Sequence, residues 1–311
     1  MQKINLGLVG CGFLGTRHLK AFHALRHKVN IIAICDTFKG KTKLLAKKYR
    51  VNVVDTYQEL LGTVDAVSIC TPTVTHAPIA QFFLEHKVHT FIEKPITYTL
   101  EEAEILIDAA QKNNVKLQVG HVERFNSAFQ AIAPLAANPL FVECHRLNLF
   151  PNRSLDIGVV MDLMIHDIDI ILGLVQSPIK DIQAVGINVL TPKEDIANAR
   201  ISFANGCVCN ITASRISPEV TRKIRMFIKN AYISLDYAKQ EAFIYTKDDH
   251  GIHRKSLPIE KEEPLKKELE HFIDCIREDR KPLVSGIEAK DALKVALEIT
   301  QKIWEHKKSI F

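Results

Sequence analysis

A lysine and a histidine–aspartate pair are the side chains of this sequence best suited to moving a proton. Lys94 stands in Glu93-Lys94-Pro95, directly after the apolar run His89–Ile92. Asp162 and His166 lie four residues apart in Asp162-Leu163-Met164-Ile165-His166, a spacing that puts both on one face of a helix. A histidine within reach of a carboxylate is an oriented general base, and a lysine cation can stabilise a developing alkoxide. The chemistry these groups fit is oxidation of a secondary alcohol, which further needs a hydride acceptor facing the carbon. Plainer readings stand beside it: a solvated lysine at a strand end, and an ion pair on a helix surface. Against the second, Val159, Val160, Met161, Leu163, Met164, Ile165 and Ile168 surround the pair with apolar side chains, the signature of a buried helix. The second histidine of an HExxH zinc helix is missing, so no metal is expected there.

A place for a hydride acceptor is written near the start of the chain. Gly10-Cys11-Gly12-Phe13-Leu14-Gly15 follows the apolar run Ile4–Val9 and opens an amphipathic stretch, Phe13–Arg26. In that setting a GxGxxG run is the dinucleotide fingerprint. Gly10 permits the tight turn, Gly12 the approach of backbone to pyrophosphate, and Gly15 close packing of helix on strand. Asp36 ends the next apolar run, about 20 residues on, where a carboxylate would bond the adenosine ribose. It would repel a 2′-phosphate, and Thr37 and Phe38 supply no arginine, although Lys39 is near. NAD is expected rather than NADP. Thr71, Pro72 and His76 follow the fourth apolar run and should line the same ligand edge, as should Glu93. For His76 a helix-start ring making local hydrogen bonds is an equally good reading.

These motifs need a scaffold, and the hydropathy pattern supplies one. Strand-length apolar runs at Ile4–Val9, Val29–Cys35, Val51–Val54, Ala66–Cys70, His89–Ile92 and Lys116–Gly120 have between them helical stretches at Phe13–Arg26, Lys39–Tyr49, Thr75–Glu85 and Leu100–Lys112. That alternation predicts a doubly wound parallel sheet, an α/β Rossmann domain, over 1–120. The pattern then changes. A helix is expected over Glu123–Ala137, a strand over Phe141–Phe150, a long helix over Leu155–Val175, and short strands with turn signals from Ile179 to Leu257. Helices at Leu265–Arg277 and Ile287–His306 close the chain. Residues 121–311 are therefore expected to form an α+β domain with an open, mostly antiparallel sheet, whose last helix could pack back on the first domain.

Composition sets the outer limits. With 47% hydrophobic and 25% charged residues, the chain reads as a globular protein with a sizeable core. Its first residues show no secretory signal and no segment is long and apolar enough for a membrane span, so a cytoplasmic protein is expected. The net charge of +5 is mild and spread out, without the basic stripe that nucleic acid would require. The 7 cysteines form no CxxC pair and read as reduced core residues.

The order of the runs Gly10–Gly15, Thr71–His76, Glu93-Lys94-Pro95 and Asp162–His166 resembles that of the Gfo/Idh/MocA oxidoreductase family, over essentially the whole chain. The resemblance implies Lys94 as catalytic lysine, His166 as proton acceptor with Asp162 beside it, and a homodimer or homotetramer built through the second domain's sheet. Most members carry an Asn-Arg-Arg-Phe run where this chain has His121-Val122-Glu123-Arg124-Phe125-Asn126, and paired glycines where it has only Gly158. Those departures resemble the branch of UDP-N-acetylglucosamine 3-dehydrogenases and imply that Arg124 and Asn126 face the substrate, together with Lys94, Asp162 and His166. For Arg124 an interdomain ion pair is the competing expectation, with Glu123 a ready neighbour.

The function this implies is NAD-dependent oxidation of the C3 hydroxyl of a UDP-N-acetylhexosamine to the 3-keto sugar, which an aminotransferase could then consume. Inositol, another sugar and a UDP-sugar uronate are the alternative substrates. The uronate would call for a further arginine, with Arg146, Arg153 and Arg215 as candidates. A non-catalytic NAD sensor is the rival from another class. Loss of Lys94 or His166 would favour it, and both are present.

Overall fold

A computed structural model describes residues 2–136, 138–150 and 157–310, the side chains of 307–310 excepted. Its first part alternates as the hydropathy pattern requires: β1 (Ile4–Val9), α1 (Phe13–Ala24), β2 (Val29–Cys35), α2 (Lys39–Tyr49), β3 (Asn52–Val54), β4 (Ala66–Ile69), α3 (His76–Glu85), β5 (His89–Glu93), α4 (Leu100–Lys112) and β6 (Leu117–Gly120). The strands form one parallel sheet in the order β3-β2-β1-β4-β5-β6. β4 and β5 are buried along almost their whole length, as strands with helices on both faces must be. Strand order reverses between β1 and β4, and a ligand crevice opens beyond the carboxyl ends at such a switch point. Helix boundaries follow local chemistry: α4 starts at a capping box in which Thr99 and Glu102 bond each other's backbone N–H groups, leaving two fewer orphan donors.

The later residues build a second sheet. α5 (Ser127–Ile132), β7 (Phe141–Leu147) and α6 (Ile165–Val175) precede β8 (Ile179–Ile187), β9 (Ile196–Phe203), β10 (Val208–Ser214), β11 (Thr221–Ile228), β12 (Ala231–Asp236), β13 (Glu241–Asp248) and β14 (Gly251–Ser256). Their order is β14-β13-β12-β11-β7-β10-β9-β8. β7 and β10 run parallel, and every other neighbouring pair is antiparallel. Burial alternates residue by residue along β7 and β9, so one face is covered and the other is left open. Two tight turns fall on glycines, with Gly206 at φ +89° and Gly251 at φ +123°, where a side chain would strain the backbone.

Three expectations are corrected. The helix expected over Glu123–Ala137 is broken into a 3₁₀ turn (Val122–Phe125), α5 and a second 3₁₀ turn (Ala133–Leu135), Ala137 itself lying outside the described residues. Asn126 causes the first break: its backbone is extended and its side chain caps α5 by accepting from Ala128 N–H, as asparagine prefers to do. The strand expected to reach Phe150 ends at Leu147. The helix expected from Leu155 starts, among the described residues, with a π-helical turn (Val160–Met164) that leads into α6.

The chain divides into two compact units, one of residues 1–122 and 263–290, the other of residues 123–262 and 291–311. It therefore returns to the Rossmann unit through α7 (Pro264–Arg277). Leu269, Phe272 and Ile273 of α7 join Leu6, Phe22, Leu25 and Phe91 in one core cluster, and Lys28 bridges to Glu270 and Asp274. An amphipathic stripe reveals that a helix packs, but not against what. The last helix, α8 (Gly286–Ile310), gives only its first residues to this unit. Among the described residues no helix is long and apolar enough to cross a membrane.

Candidate active-site residues

The glycine-rich turn is built as its spacing predicts. Gly10 has φ +94°, and a Cβ there would come within 2.7 Å of the Cys70 carbonyl. A Cβ on Gly15 would collide with the carbonyl oxygen of Gly10, whereas one on Gly12 would meet nothing within 4 Å among the described residues. Gly10 and Gly15 are thus demanded by the fold, and Gly12 is not. Helix α1 has no acidic residue in its first turn and no side-chain cap, so its first N–H groups and positive dipole end suit a phosphate. Leu14 is half-buried in that turn and Phe13 is 53% exposed, with the Arg17 guanidinium 4.5 Å from its ring centroid. Asp36 directly follows β2, its carboxylate accepting from Cys11 N–H and from Phe38 N–H at 2.7 Å. Lys39, the nearest following cation, is drawn to Asp55 at 2.9 Å. These features fit NAD: an open glycine edge for the pyrophosphate and a fixed carboxylate for the ribose.

Lys94 follows β5 and is half-buried, on a loop fixed at both flanks. Glu93 is buried; its Oε1 lies 2.8 Å from Nε2 of His18, and its Oε2 accepts from the Lys94 N–H at 3.2 Å. The His18 Nδ1 lies 2.9 Å from the Ser68 hydroxyl. Burial alone would raise the Glu93 carboxyl, but the hydrogen bond and charge of His18, with the Lys94 charge, hold it below its ordinary value. On the other flank His76 is buried, with Nδ1 3.0 Å from the Pro95 carbonyl and Nε2 2.9 Å from the Thr71 carbonyl. Burial pulls the His76 pKa down and outweighs the two carbonyls. His76 thus makes the local hydrogen bonds of the plainer reading, tying the loop of Thr71 and Pro72 to the loop of Lys94. Glu93 and His76, both expected on the cofactor side, are buried, with polar atoms on the loops that carry Lys94, Thr71 and Pro72.

Asp162 falls inside the π-helical turn and His166 in the first turn of α6. π turns are wider than α turns and recur at functional sites. Asp162 is 9% exposed and His166 half-buried, so the pair is not the surface ion pair of the plainer reading. The turn's N-terminus is held by Glu194, whose backbone carbonyl accepts from Val159 N–H at 2.9 Å and whose carboxylate accepts from Val160 N–H at 3.4 Å. A side chain at Gly158 would collide with that carboxylate, which explains the single glycine kept here.

The arginines have protein partners that the sequence did not mark. Arg124 donates to the Asp169 carboxylate at 2.7 and 3.0 Å and to its backbone carbonyl at 2.8 Å, lying against Gly173 of α6. It forms an ion pair with Asp169. Asn126 is 2% exposed, and besides capping α5 it donates to the Tyr237 carbonyl at 3.1 Å. Both ends of the amide thus have protein partners within the second unit. Arg146 forks onto Asp167 at 2.8 and 2.9 Å and reaches Glu123 at 2.8 Å. Arg215, fully buried, donates to the Ile157 carbonyl at 2.7 Å and stands 4.0 Å from Asp195. Arg153 lies outside the described residues. His18, Ser68, Asp167 and Asp169 escaped the sequence reading. His18 had a signal, since it shares the stripe of Gly15, Leu19 and Phe22 that α1 buries.

Comparison with known proteins bears on the family of the chain. Residues 4–121 match the model of an oxidoreductase family with an NAD-binding Rossmann fold, and residues 118–234 that of the Gfo/Idh/MocA C-terminal domain. UDP-N-acetylglucosamine 3-dehydrogenase of Acidithiobacillus ferrooxidans is 34% identical over 96% of this chain and 97% of its own. A solved structure of that enzyme superposes with a TM-score of 0.92, covering 97% of this chain and 98% of that one. The scyllo-inositol 2-dehydrogenase (NAD(+)) of Bacillus subtilis is 25% identical over 96% of this chain and 94% of its own. A Rossmann unit with an intact glycine turn, a mostly antiparallel second unit and near full-length matches lead to one assignment: the chain belongs to the Gfo/Idh/MocA family of NAD-dependent oxidoreductases.

Proposed function

We propose that this enzyme is a sugar dehydrogenase that oxidises the C3 hydroxyl of a UDP-N-acetylhexosamine, UDP-N-acetylglucosamine above all, to the 3-keto sugar. The observation that carries this reading is the 34% identity, over 96% of the chain, to a UDP-N-acetylglucosamine 3-dehydrogenase, against 25% for the inositol dehydrogenase of similar coverage. NAD supplies the acceptor for the hydride that leaves C3. His166 takes the hydroxyl proton, kept in orientation by Asp162, and Lys94 steadies the negative charge that develops on the oxygen. One C–H and one O–H bond break, the C=O bond forms, and the proton remains on His166. Arg146, Arg215 and Arg124 are engaged with protein carboxylates or carbonyls, which speaks against their use on the extra carboxylate of a uronate.

The 3-ketone invites a class of reaction that consumes carbonyls, and coupling to an aminotransferase belongs to the same proposal. So does assembly into a homodimer or homotetramer through the open sheet face, where Phe141, Phe227, Tyr232 and Tyr245 form a ladder of ring contacts at 5.6, 4.9 and 4.9 Å. The test is NADH formation, by absorbance, with UDP-N-acetylglucosamine, its uronate, UDP-glucose and myo-inositol, a carbonyl trap drawing the equilibrium forward. Selective turnover of UDP-N-acetylglucosamine is expected. Turnover of inositol alone would overturn the substrate, and silence across the panel with NAD bound would favour a sensor.

A further inference from the structure

A histidine and a glutamate sit together under the end of β5, both nearly removed from water. The His18 side chain is 0% exposed and that of Glu93 9%. Burying such a pair is justified by stability only when its geometry is good, and replacing it by apolar side chains is often neutral. Here the geometry reaches past the pair. The carboxylate that receives His18 through Oε1 receives the backbone N–H of Lys94 through Oε2. The His18 ring is itself fixed in three ways. Its Nδ1 meets the Ser68 hydroxyl at 2.9 Å, and its edge packs on Phe91 at 5.4 Å and on Phe22 at 6.3 Å. The Glu93 carboxylate has a wall behind it, because a Cβ on Gly120 would stand only 3.0 Å from it. Ser68 in β4, His18 in α1, Glu93 in β5 and Gly120 in β6 thus form one chain of contacts across the sheet, ending at Lys94.

We propose that His18 is a positioning residue for Lys94, acting through Glu93. His18 touches neither cofactor nor substrate. Its ring sets the carboxylate, and the carboxylate sets the backbone from which the Lys94 side chain projects and supplies the negative charge beside its ammonium. On the far side His76 holds the Pro95 carbonyl, so the lysine is carried by a peptide unit fixed at both flanks. Placement matters because an error of about 1 Å in a reacting group lowers a rate on the order of 100-fold.

The proposal rests on the role given to Lys94, and its test separates the two. The variants are His18→Leu, which keeps the volume, His18→Gln, whose amide can still donate toward Glu93, and Glu93→Gln, which removes the charge but not the shape. Two readouts are taken on the full chain. The first is kcat, KM and NAD affinity with UDP-N-acetylglucosamine. The second needs no turnover: the labelling rate of Lys94 by a limiting amine-reactive ester, relative to Lys3 and Lys20, counted per residue by mass spectrometry. His18→Leu and Glu93→Gln are expected to change Lys94 labelling alone and to lower kcat about 10- to 100-fold, with KM and NAD affinity kept. His18→Gln should recover most of both. If the wild type does not turn over UDP-N-acetylglucosamine, the proposed substrate fails while the labelling still decides the proposal. Unchanged Lys94 labelling, or equal damage from Leu and Gln, overturns it. If His18→Leu does not fold, Glu93→Gln and His18→Gln give the same decision.

Discussion

Replacing Arg146 by methionine tests whether the buried arginines serve the fold or a substrate. Its side chain is 3% exposed, forks onto Asp167 and reaches Glu123, with Tyr237's ring centroid 5.5 Å from the guanidinium. Removing the cation leaves two carboxylates in a site that excludes water. Deleting one partner of a buried ion pair destabilises by about 3–5 kcal/mol, and two acids losing their shared cation put this variant at the upper end, with Arg222 still acting on Asp167. With a urea m-value of about 2.5 kcal/mol/M, the unfolding midpoint should fall by roughly 1.5–2 M. The sign with pH is determined. Burial already raises the Asp167 carboxyl, and Arg146 is the first influence opposing it, so the variant's Asp167 titrates higher still. A carboxyl raised in the folded state is destabilising above that raised pKa, and the penalty fades as pH falls toward the unfolded value of about 4. The loss should therefore be larger at pH 8 than at pH 5. The triple variant Arg146→Met, Asp167→Asn, Glu123→Gln should recover most of it, because a neutral site strands no charge. Urea unfolding at both pH values, with turnover of UDP-N-acetylglucosamine and its uronate by the residual folded enzyme, decides the matter. A loss under about 1 kcal/mol, or one independent of pH, would refute the electrostatic account; selective loss of uronate turnover without loss of stability would return Arg146 to a substrate pocket.

Gly12→Ala and Gly15→Ala should part company. The first, with room for its Cβ, should stay within about 0.5 kcal/mol of wild-type stability yet weaken NAD about tenfold; the second, colliding with Gly10, should lose at least about 2 kcal/mol, both read by urea unfolding and calorimetric NAD titration. Lys94→Ala and His166→Ala should lower kcat by about 10²–10⁴ while NAD binding persists, and full activity in either would sink its assignment. Burial lowers the pKa of His76, His89 and His271, so the unfolded chain takes up protons at higher pH than the folded one. Stability should be flat above about pH 7.5 and fall as pH drops below about 6.5. Glu93, held below its usual range, adds a loss of the same sign in more acid solution. Unfolding midpoints that rise on acidification from pH 8 to 6 would contradict this.

The Rossmann unit was legible because its rules are local. A strand buried on both faces must be continuously apolar, and a turn such as Gly10 to Gly15 must carry glycine where backbone meets backbone. The places of Lys94 and Asp36, each directly after a strand, were legible for the same reason, since strand ends are positions a sequence marks. The second unit was legible only in its strands and turns. Arg124 meets Asp169, and Arg146 meets Glu123 and Asp167, across separations of 45, 23 and 21 residues. No periodicity encodes which acid an arginine finds. Glu123 beside Arg124 looked like a partner because it is adjacent in sequence, whereas the fold gives it to Arg146. Helix α7 shows the same gap: its apolar stripe was plain, but its return to the Rossmann core depends on residues more than 150 positions earlier. The π turn over Val160–Met164 was hidden for another reason: one apolar stretch satisfies both helical repeats.

These pairings bear on how the enzyme selects its substrate. An arginine spent on Asp169 or Asp167 offers no free fork to a pyrophosphate or a uronate, so the acids of α6 (Asp167 and Asp169) neutralise the very cations that composition puts forward as anion binders. The same helix begins with the turn carrying Asp162 and carries His166 in its first turn. On the role proposed for His166, one apolar helix has two tasks that oppose each other electrostatically: keeping a proton acceptor available and burying two further carboxylates. Pairing Asp167 with Arg146 and Asp169 with Arg124 lets it do both, since a neutralised acid no longer favours protonation of the histidine nearby. On this argument Asp167→Asn, leaving Arg146 only Glu123, should make the surroundings of His166 more positive. The acid limb of the kcat profile should then move to lower pH, and a shift to higher pH would refute the argument.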